Sequence, residues 1–532
     1  MYPETTYEMR HEAVYFLGRR YSDTQTFATG ALEDGVTIPA LQVLNEPGFD
    51  SSMTDGILLH AFLFALIIVD QVPQQILTGP VATDLEGNVL WYYGDAFLPQ
   101  YGGSFMMSFP TFVGGTFFMP MARPSAPFPL RGQLLREIDL AGNTVRETNV
   151  EIINAQLADL GFNPIYYFHH DVRRLPNGHT LVMAGEERVY PSVPWAPEEP
   201  VDVVGDMIID LDENFQVVWA WSTFDHDAEL RIGTIGPLRD GPCIEAQPGF
   251  NPCGPLRLLG TGDGQASAAY DWTHGNTVTY TPADGNFILS FRHQDWVIKV
   301  DYNNGRGSGQ ILWKLGYEGD FESAEGPQGP DFWFSGQHQP MVYAQKELVI
   351  YDNSNIRNEP PVDPVAHSRG QVYLLDEENM IADLIVDADL GVYASFLGSA
   401  QKLANGNYHF LSGGIGGGVV IGGFPAGSSQ STEVGPDGSI NYTLQSIAAT
   451  YRSFRMKSMY QPAGIPGDID GDSDVDGLDI LEIYKKLFRR ADIPYDLNGD
   501  GWVTLEDVSE ARSQCTLPYC RNLYWETPVI GY

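Results

Sequence analysis

A hairpin pattern that recurs along most of the chain limits what it can fold into. Strand-like segments with an aspartate at the turn, a Gly or Asn beside it and an apolar strand after it read DLEGNVLWYY (84–93), DLAGNTVRET (139–148), DLDENFQVVWAW (210–221), DYNNGRGSGQILWKL (301–315), LDEENMIADLIV (375–386) and GPDGSINYTL (435–444). A second hairpin type is interleaved: PTFVGGTFFM (110–119), RLPNGHTLVMA (174–184), TPADGNFILSF (281–291) and KLANGNYHFLSG (402–413), with KELVIYDN (346–353) taking the same place without a Gly. Gly and Asn tolerate the left-handed backbone that tight hairpin turns need, and the runs between them have strand character. Two hairpins make a small four-stranded sheet that cannot bury its own faces, but radial repetition buries them and protects the edges.

The expected fold is therefore all-β, a six-bladed β-propeller over residues 56–460. A pair of β-sandwiches is the alternative, and it does not account for so many similar hairpins. Residues 1–55 lack the pattern and read as a short N-terminal β-extension; residues 461–532 read as a small α-helical C-terminal domain. The most apolar run, ILLHAFLFALIIV (57–69), is short for a bilayer span and contains His60, so a buried strand is expected and no transmembrane segment.

Charge narrows the partners. With 30 Lys and Arg against 69 Asp and Glu, the formal net charge is −39. Such a surface disfavours nucleic acid and anionic membranes and suits divalent cations. The four cysteines form two local pairs, Cys243 with Cys253 and Cys515 with Cys520, which predicts two loop-stapling disulfides and an oxidising compartment: extracellular, cell-surface or periplasmic. The N-terminal MYPETTYEMRHEAVYF shows no secretory signal, as expected if a leader has been removed.

The C-terminal piece carries two oxygen-rich loops, each followed by a helical segment. In the first, Asp468, Asp470, Asp472, Asp476 and Asp479 occupy loop positions 1, 3, 5, 9 and 12, with the carbonyl of Asp474 at position 7. In the second, Asp496, Asn498, Asp500, Thr504 and Asp507 take those places, with Trp502 at position 7. A hard cation with many oxygen ligands, Ca²⁺, suits this spacing, so two structural Ca²⁺ sites are expected. Position 12 is Asp and no helix precedes the first loop, which resembles a type I dockerin over 467–515. The resemblance implies a protein partner or self-assembly through this tail.

The propeller segment holds polar residues that strands do not need. His169 and His170 precede a hairpin in FHHDVRRLPNGHT; His274 lies in DWTHGNTV; Arg292 and His293 lie in FILSFRHQDW; His338 lies in FWFSGQHQP. Any one histidine alone is best read as a hydrogen-bonded structural residue, and Arg292 alone as a salt-bridge partner. Their recurrence at one part of the repeat favours a shared site near the propeller channel. Several imidazoles and a guanidinium suit an oxyanion better than catalytic Zn²⁺. A three-residue loop, Ala283-Asp284-Gly285, would put Arg292 opposite Asn276 and on the same face as His274.

The segments HHDVRRLPNGHTLVMA, DWTHGNTVTY, ILSFRHQDWVIKVD, ILWKLG, SGQHQP, IYDNSN and SRGQVYLLDE resemble, in order and spacing, the PAPS-independent arylsulfate sulfotransferase family over most of 56–415. That family is a six-bladed propeller. The resemblance implies that His338 is the nucleophile and becomes a sulfohistidine, that Arg292 and His274 bind the sulfuryl oxygens, and that His170 assists the oxyanion or the phenol proton. It also implies a ping-pong reaction from a phenolic sulfate donor to a phenol acceptor, with His169 and His293 in structural roles. The sequence has no GxxxxGK[ST] phosphate loop and little Lys, so no nucleotide cofactor is expected. A non-catalytic adhesive propeller, assembled through its calcium-binding tail, is the competing reading.

Overall fold

A computed structural model describes residues 4–45, 56–94, 117–121, 134–192, 201–230, 270–358, 366–456 and 467–520, apart from single residues and short runs inside those spans. The fold is all-β, a propeller-like ring of antiparallel sheets with few helices.

In chain order, one sheet holds Ile165–Arg174, Thr180–Tyr190, Val201–Leu211 and Val217–Ser222, with Tyr270–Asp271 added in parallel to its third strand. The next holds Gly275–Thr281, Asn286–Phe291, Trp296–Val300 and Ile311–Leu315. A third runs His338–Tyr343, Glu347–Asp352, Arg369–Asp376 and Ile381–Asp389, and a fourth runs Gly398–Lys402, Tyr408–Ile415, Ser428–Val434 and Ile440–Ser446. The first strands of successive sheets lie against one another, from Ile165–Arg174 round to Ala448–Met456, and so line the centre of the ring.

The ring is closed by strands from opposite ends of the propeller segment. Ala448–Met456 pairs with Ile57–Val69, which continues into Pro80–Asp84 and Val89–Tyr92. Leu41–Asn45 pairs with Ile440–Ser446, so a strand of the expected N-terminal extension joins a blade. The apolar run 57–69 is a strand, as expected, and no helix among the described residues is long and apolar enough to cross a membrane.

The expectation of six four-stranded blades needs correction. Among the described residues, five sheets have four or more strands; the sheet from Phe117–Met121 through Leu134–Ile138 to Thr144–Asn149 has three. The missing hairpin partner was expected in PTFVGGTFFM, of which residues 110–116 lie outside the described residues.

The recurring aspartate is a turn residue. Asp84 Oδ1 accepts from the Glu86 and Asn88 amides, and Asp139 Oδ1 from Asn143. Asp212 does the same for Asn214 and Gln216, Asp376 for Glu378 and Asn379, and Asp437 for Ser439. A carboxylate that satisfies the amides of the residues after it holds the turn without help from the core.

Both faces of each middle blade are buried, which explains runs such as NFILSF. Phe287 and Leu289 pack with Leu181, Met183 and Ile208 of the preceding sheet, while Ile288 packs with Leu348 and Ile350 of the following one. Each such side chain contributes about 1.5–3 kcal/mol on burial. The sheets approach closely enough that a Cβ on Gly370 would meet the Phe410 ring at 2.3 Å.

Candidate active site

His338, Arg292, His274 and His170, named from separate stretches of sequence, gather at the inner ends of three adjacent sheets. His338 opens the strand His338–Tyr343. Arg292 opens a short 3-10 turn that follows Asn286–Phe291, and its amide donates to the His274 carbonyl at 3.3 Å. The His170 and His274 rings meet edge to face at 4.8 Å, and His170 also lies 5.7 Å from the Tyr451 ring. His170 and His274 both have left-handed backbones, with φ of 53° and 47°. Non-glycine residues rarely adopt this conformation, and it often accompanies functional sites.

The pairing of the hairpin that carries His274 and Arg292 differs from expectation. Thr281 pairs with Asn286, so four positions and not three separate the two strands; Pro282 and Ala283 among them lie outside the described residues, and Gly285 is left-handed at φ +70°. The ladder then shifts between Gly275 and Thr277. This bulge at Asn276, and not the turn, brings His274 beside Arg292. An extra residue in one strand restores the parity that the longer connection removes.

His338 is 3% exposed, and its Nδ1 lies 2.7 Å from Asn353 Oδ1. The Asn353 amide cannot be turned round, because its Nδ2 donates to the carbonyls of Ala394 at 2.7 Å and Leu397 at 3.0 Å. Oδ1 is therefore the acceptor and His338 Nδ1 the donor, which puts the ring's lone pair on Nε2. Burial, and after it the Arg292 charge, pushes the His338 pKa well below the ordinary imidazole value, so the ring stays neutral.

Arg292 is 8% exposed and donates from Nη2 to the Ser395 carbonyl at 2.8 Å. His274 Nδ1 lies 2.5 Å from Asp271 Oδ2, which orients the imidazole. Burial raises the Asp271 pKa, but His274, then His293 and His169, outweigh it and hold the carboxyl below its usual range. Burial likewise lowers His170 well below the imidazole range, reinforced by His274, His169, His338 and Arg452. His293 Nδ1 lies 2.7 Å from the Asp271 carbonyl, and burial pushes its pKa down to about 3.

Asp271, His274 and His293 bring one ligand atom each within 4.8 Å of one another. A metal ion there would have to displace the short Asp271–His274 hydrogen bond and lie near the Arg292 guanidinium. The donor set fits a carboxylate–imidazole pair better than a cation site.

Sequence reasoning missed several contributors. Arg452 is 1% exposed side chain and all; its Nη1 donates to Asp171 at 2.7 Å and its Nη2 to the Asn276 carbonyl at 2.6 Å. It thus ties the last strand of the ring to two others. Asp271 stands three residues before His274, and Asn353 lies within IYDNSN, so both were open to reading; Arg452, in TYRSF, had no local signal.

In the C-terminal piece, Asp468, Asp470, Asp472, Asp474, Asn498 and Asp500 lie outside the described residues, as do Cys243 and Cys253. The described positions repeat one local pattern. Asp479 accepts from the amides of Ile469 and Asp476, and Asp507 accepts from those of Leu497 and Thr504. Asp476 is 1% exposed and its Oδ2 has no hydrogen-bond partner among the described residues. A buried carboxylate oxygen left over in this way fits a cation ligand. Asp496, Trp502 and Thr504 fall at the edges of the second loop, and Cys515 is disulfide-bonded to Cys520.

The model of the arylsulfotransferase (ASST) family matches residues 59–453. The chain belongs to that family. Its site and most of its ring of sheets lie within the matched residues. No curated protein matches the chain. Among solved structures, a protein of unknown function from Bacteroides caccae is 9% identical, covering 76% of this chain and 100% of its own, with a TM-score of 0.37. A periplasmic gluconolactonase from Pseudomonas aeruginosa is 11% identical, covering 75% of this chain and 99% of its own, at a TM-score of 0.35. TolB from Acinetobacter baumannii is 11% identical, covering 75% of this chain and 65% of its own, at a TM-score of 0.32.

Proposed function

We propose that this protein moves a sulfuryl group from a phenolic sulfate ester to a phenol in two steps, without a nucleotide carrier, through a sulfohistidine on His338. Membership of the arylsulfotransferase family supports the substrate class. The observation that carries the mechanism is the Asn353 amide, which holds a proton on His338 Nδ1 and leaves the lone pair on Nε2, in a ring that also feels the Arg292 charge. In the first step Nε2 attacks sulfur, the N–S bond forms and the bond from sulfur to the aryl oxygen breaks. In the second step the acceptor oxygen attacks sulfur and the N–S bond breaks. Arg292 and the Asp271-oriented His274 hold the sulfuryl oxygens, on which charge is spread in the transition state. The aryl oxygen leaves as phenolate in the first step, and His170, neutral at rest, takes the proton of the incoming phenol in the second and releases it to solvent.

The test is turnover of 4-nitrophenyl sulfate with phenol as acceptor, followed by intact-mass measurement after donor alone. A sulfuryl adduct that maps to His338 and disappears in His338→Ala is the expected result. Turnover retained in His338→Ala would move the nucleophile elsewhere. No turnover and no adduct would leave the adhesive-propeller reading.

We also infer that the tail binds two Ca²⁺ ions and docks to a protein partner, as its dockerin-like spacing implies, and that the protein works outside the cytoplasm. The orphaned Asp476 oxygen and the matching Asp479 and Asp507 geometry support the cation.

A further inference from the structure

His169, expected to be merely structural, occupies a place between His170 and a second carboxylate. Its Nδ1 lies 2.8 Å from His170 Nδ1, so one of the two nitrogens donates and the other accepts. Its Nε2 lies 3.2 Å from Asp206 Oδ1, within ion-pair distance but without hydrogen-bond geometry, and no hydrogen bond reaches it among the described residues. Asp206 acts as an acceptor throughout: its Oδ2 takes the Thr273 hydroxyl at 2.5 Å and the Gly275 amide at 2.7 Å. A lone pair on His169 Nε2 would face that carboxylate's own lone pairs, so the proton of His169 belongs on Nε2. His169 Nδ1 is then the acceptor, His170 Nδ1 carries a proton, and the lone pair of His170 falls on Nε2.

We propose that Asp206 and His169 form a positioning relay that sets the tautomer of His170 and makes its Nε2 the acid–base atom for the phenol oxygen. The inference rests on the two-step reading above. When the acceptor phenol attacks the sulfohistidine, its O–H bond breaks and the proton moves to His170 Nε2. The positive charge gained on His170 is stabilised through Nδ1–H to His169 and by the Asp206 carboxylate that lies 3.2 Å from His169 Nε2. In the first step the aryl oxygen leaves as phenolate, because His170 Nε2 then holds a lone pair and no proton; the proton that Nε2 gains in the second step passes to solvent before the next turnover. His169 and Asp206 touch neither substrate nor sulfur, so both act only through His170. The charge on His170 is sensed by His169 on its own strand, His274 and His338 on neighbouring sheets, and Arg452, with the Tyr451 ring in contact.

Two variants separate this role from a packing role. His169→Leu removes the acceptor facing His170 Nδ1. His169→Asn returns an amide oxygen to about the place of Nδ1. Release of 4-nitrophenol without acceptor reads adduct formation, a step that needs little proton assistance because 4-nitrophenolate is a good leaving group. Transfer from the adduct to unsubstituted phenol reads the proton-dependent step.

For His169→Leu, transfer should fall roughly 10- to 100-fold more than adduct formation, and the pH profile of transfer should shift. His169→Asn should recover most of that loss. If wild-type protein forms no adduct, the sulfohistidine reading fails and the relay with it. If wild-type forms one but His169→Leu slows both steps equally, or keeps the wild-type pH profile, the relay alone is overturned. The Asn variant, tested in the same way, decides the matter should the Leu variant not fold: a selective loss of transfer in it too would rule out tautomer positioning by an acceptor at Nδ1.

Discussion

One side-chain amide decides which nitrogen of His338 carries the lone pair. If Asn353 fixes the proton on Nδ1, Asn353→Leu should lower the rate of adduct formation by roughly 10- to 100-fold while the substrate KM changes little, since a contact that orients a reacting group acts on the transition state. A burst measurement with 4-nitrophenyl sulfate reads this directly; an unchanged burst would remove Asn353 from the mechanism. The depressed pKa of His338 has its own consequence. An imidazole with an ordinary pKa near 6.5 would lose nucleophilicity as pH falls through that value. His338 should remain neutral and the burst persist at pH 5, whereas an acid limb near the ordinary value would contradict the burial argument. At this scale the four principal residues were legible because their types are costly in strands and need a reason to be there. Arg452 was not, because its partner Asp171 is 281 positions away and only closure of the ring brings them together.

Strands and turns were legible to different degrees. Hairpin positions followed from turn chemistry, since an Asp that holds its own turn works the same way in any sheet. The register of the hairpin at 275–291 did not follow, because a bulge at Asn276 compensates for a longer connection. Sequence spacing alone cannot distinguish a short turn from a long turn with a bulge. The bulge leaves the Asn276 carbonyl accepting from both Arg452 Nη2 and Tyr451 Oη, and Arg452 also bonds Thr277 Oγ1. The irregular strand is therefore locked to the last strand of the ring. Arg452→Leu should cost about 3–5 kcal/mol, the usual penalty for removing one partner of a buried ion pair and leaving Asp171 behind. Urea denaturation checks the size of the effect, and a cost below about 1 kcal/mol would make the bond incidental to closure.

Across the whole molecule, two conditions should act on separate parts. Chelation by EDTA is expected to increase amide exchange in 467–515 and leave the 4-nitrophenyl sulfate burst intact; immediate loss of the burst would point to a metal in the propeller instead. Acid should act on the ring. Burial pushes His60, His293 and His409 down to about 3, so each stays neutral in the folded protein well below the ordinary imidazole pKa. The unfolded chain takes up protons at these rings as pH drops below about 6.5, while the folded chain does not until near their lowered values. Stability is therefore full above the unfolded pKa and declines as pH falls toward the folded one, by about 1.4 kcal/mol per pH unit for each ring. His409 offers the cleanest test. It is fully buried on Tyr408–Ile415, and neither ring nitrogen has a hydrogen-bond partner among the described residues. Replacement by Leu removes a titrating group without breaking a described hydrogen bond. His409→Leu should flatten the decline in urea midpoint between pH 7 and pH 5, gaining on wild type as pH falls. Parallel curves for the two proteins would mean that His409 is protonated in the folded state and that its burial does not govern acid stability.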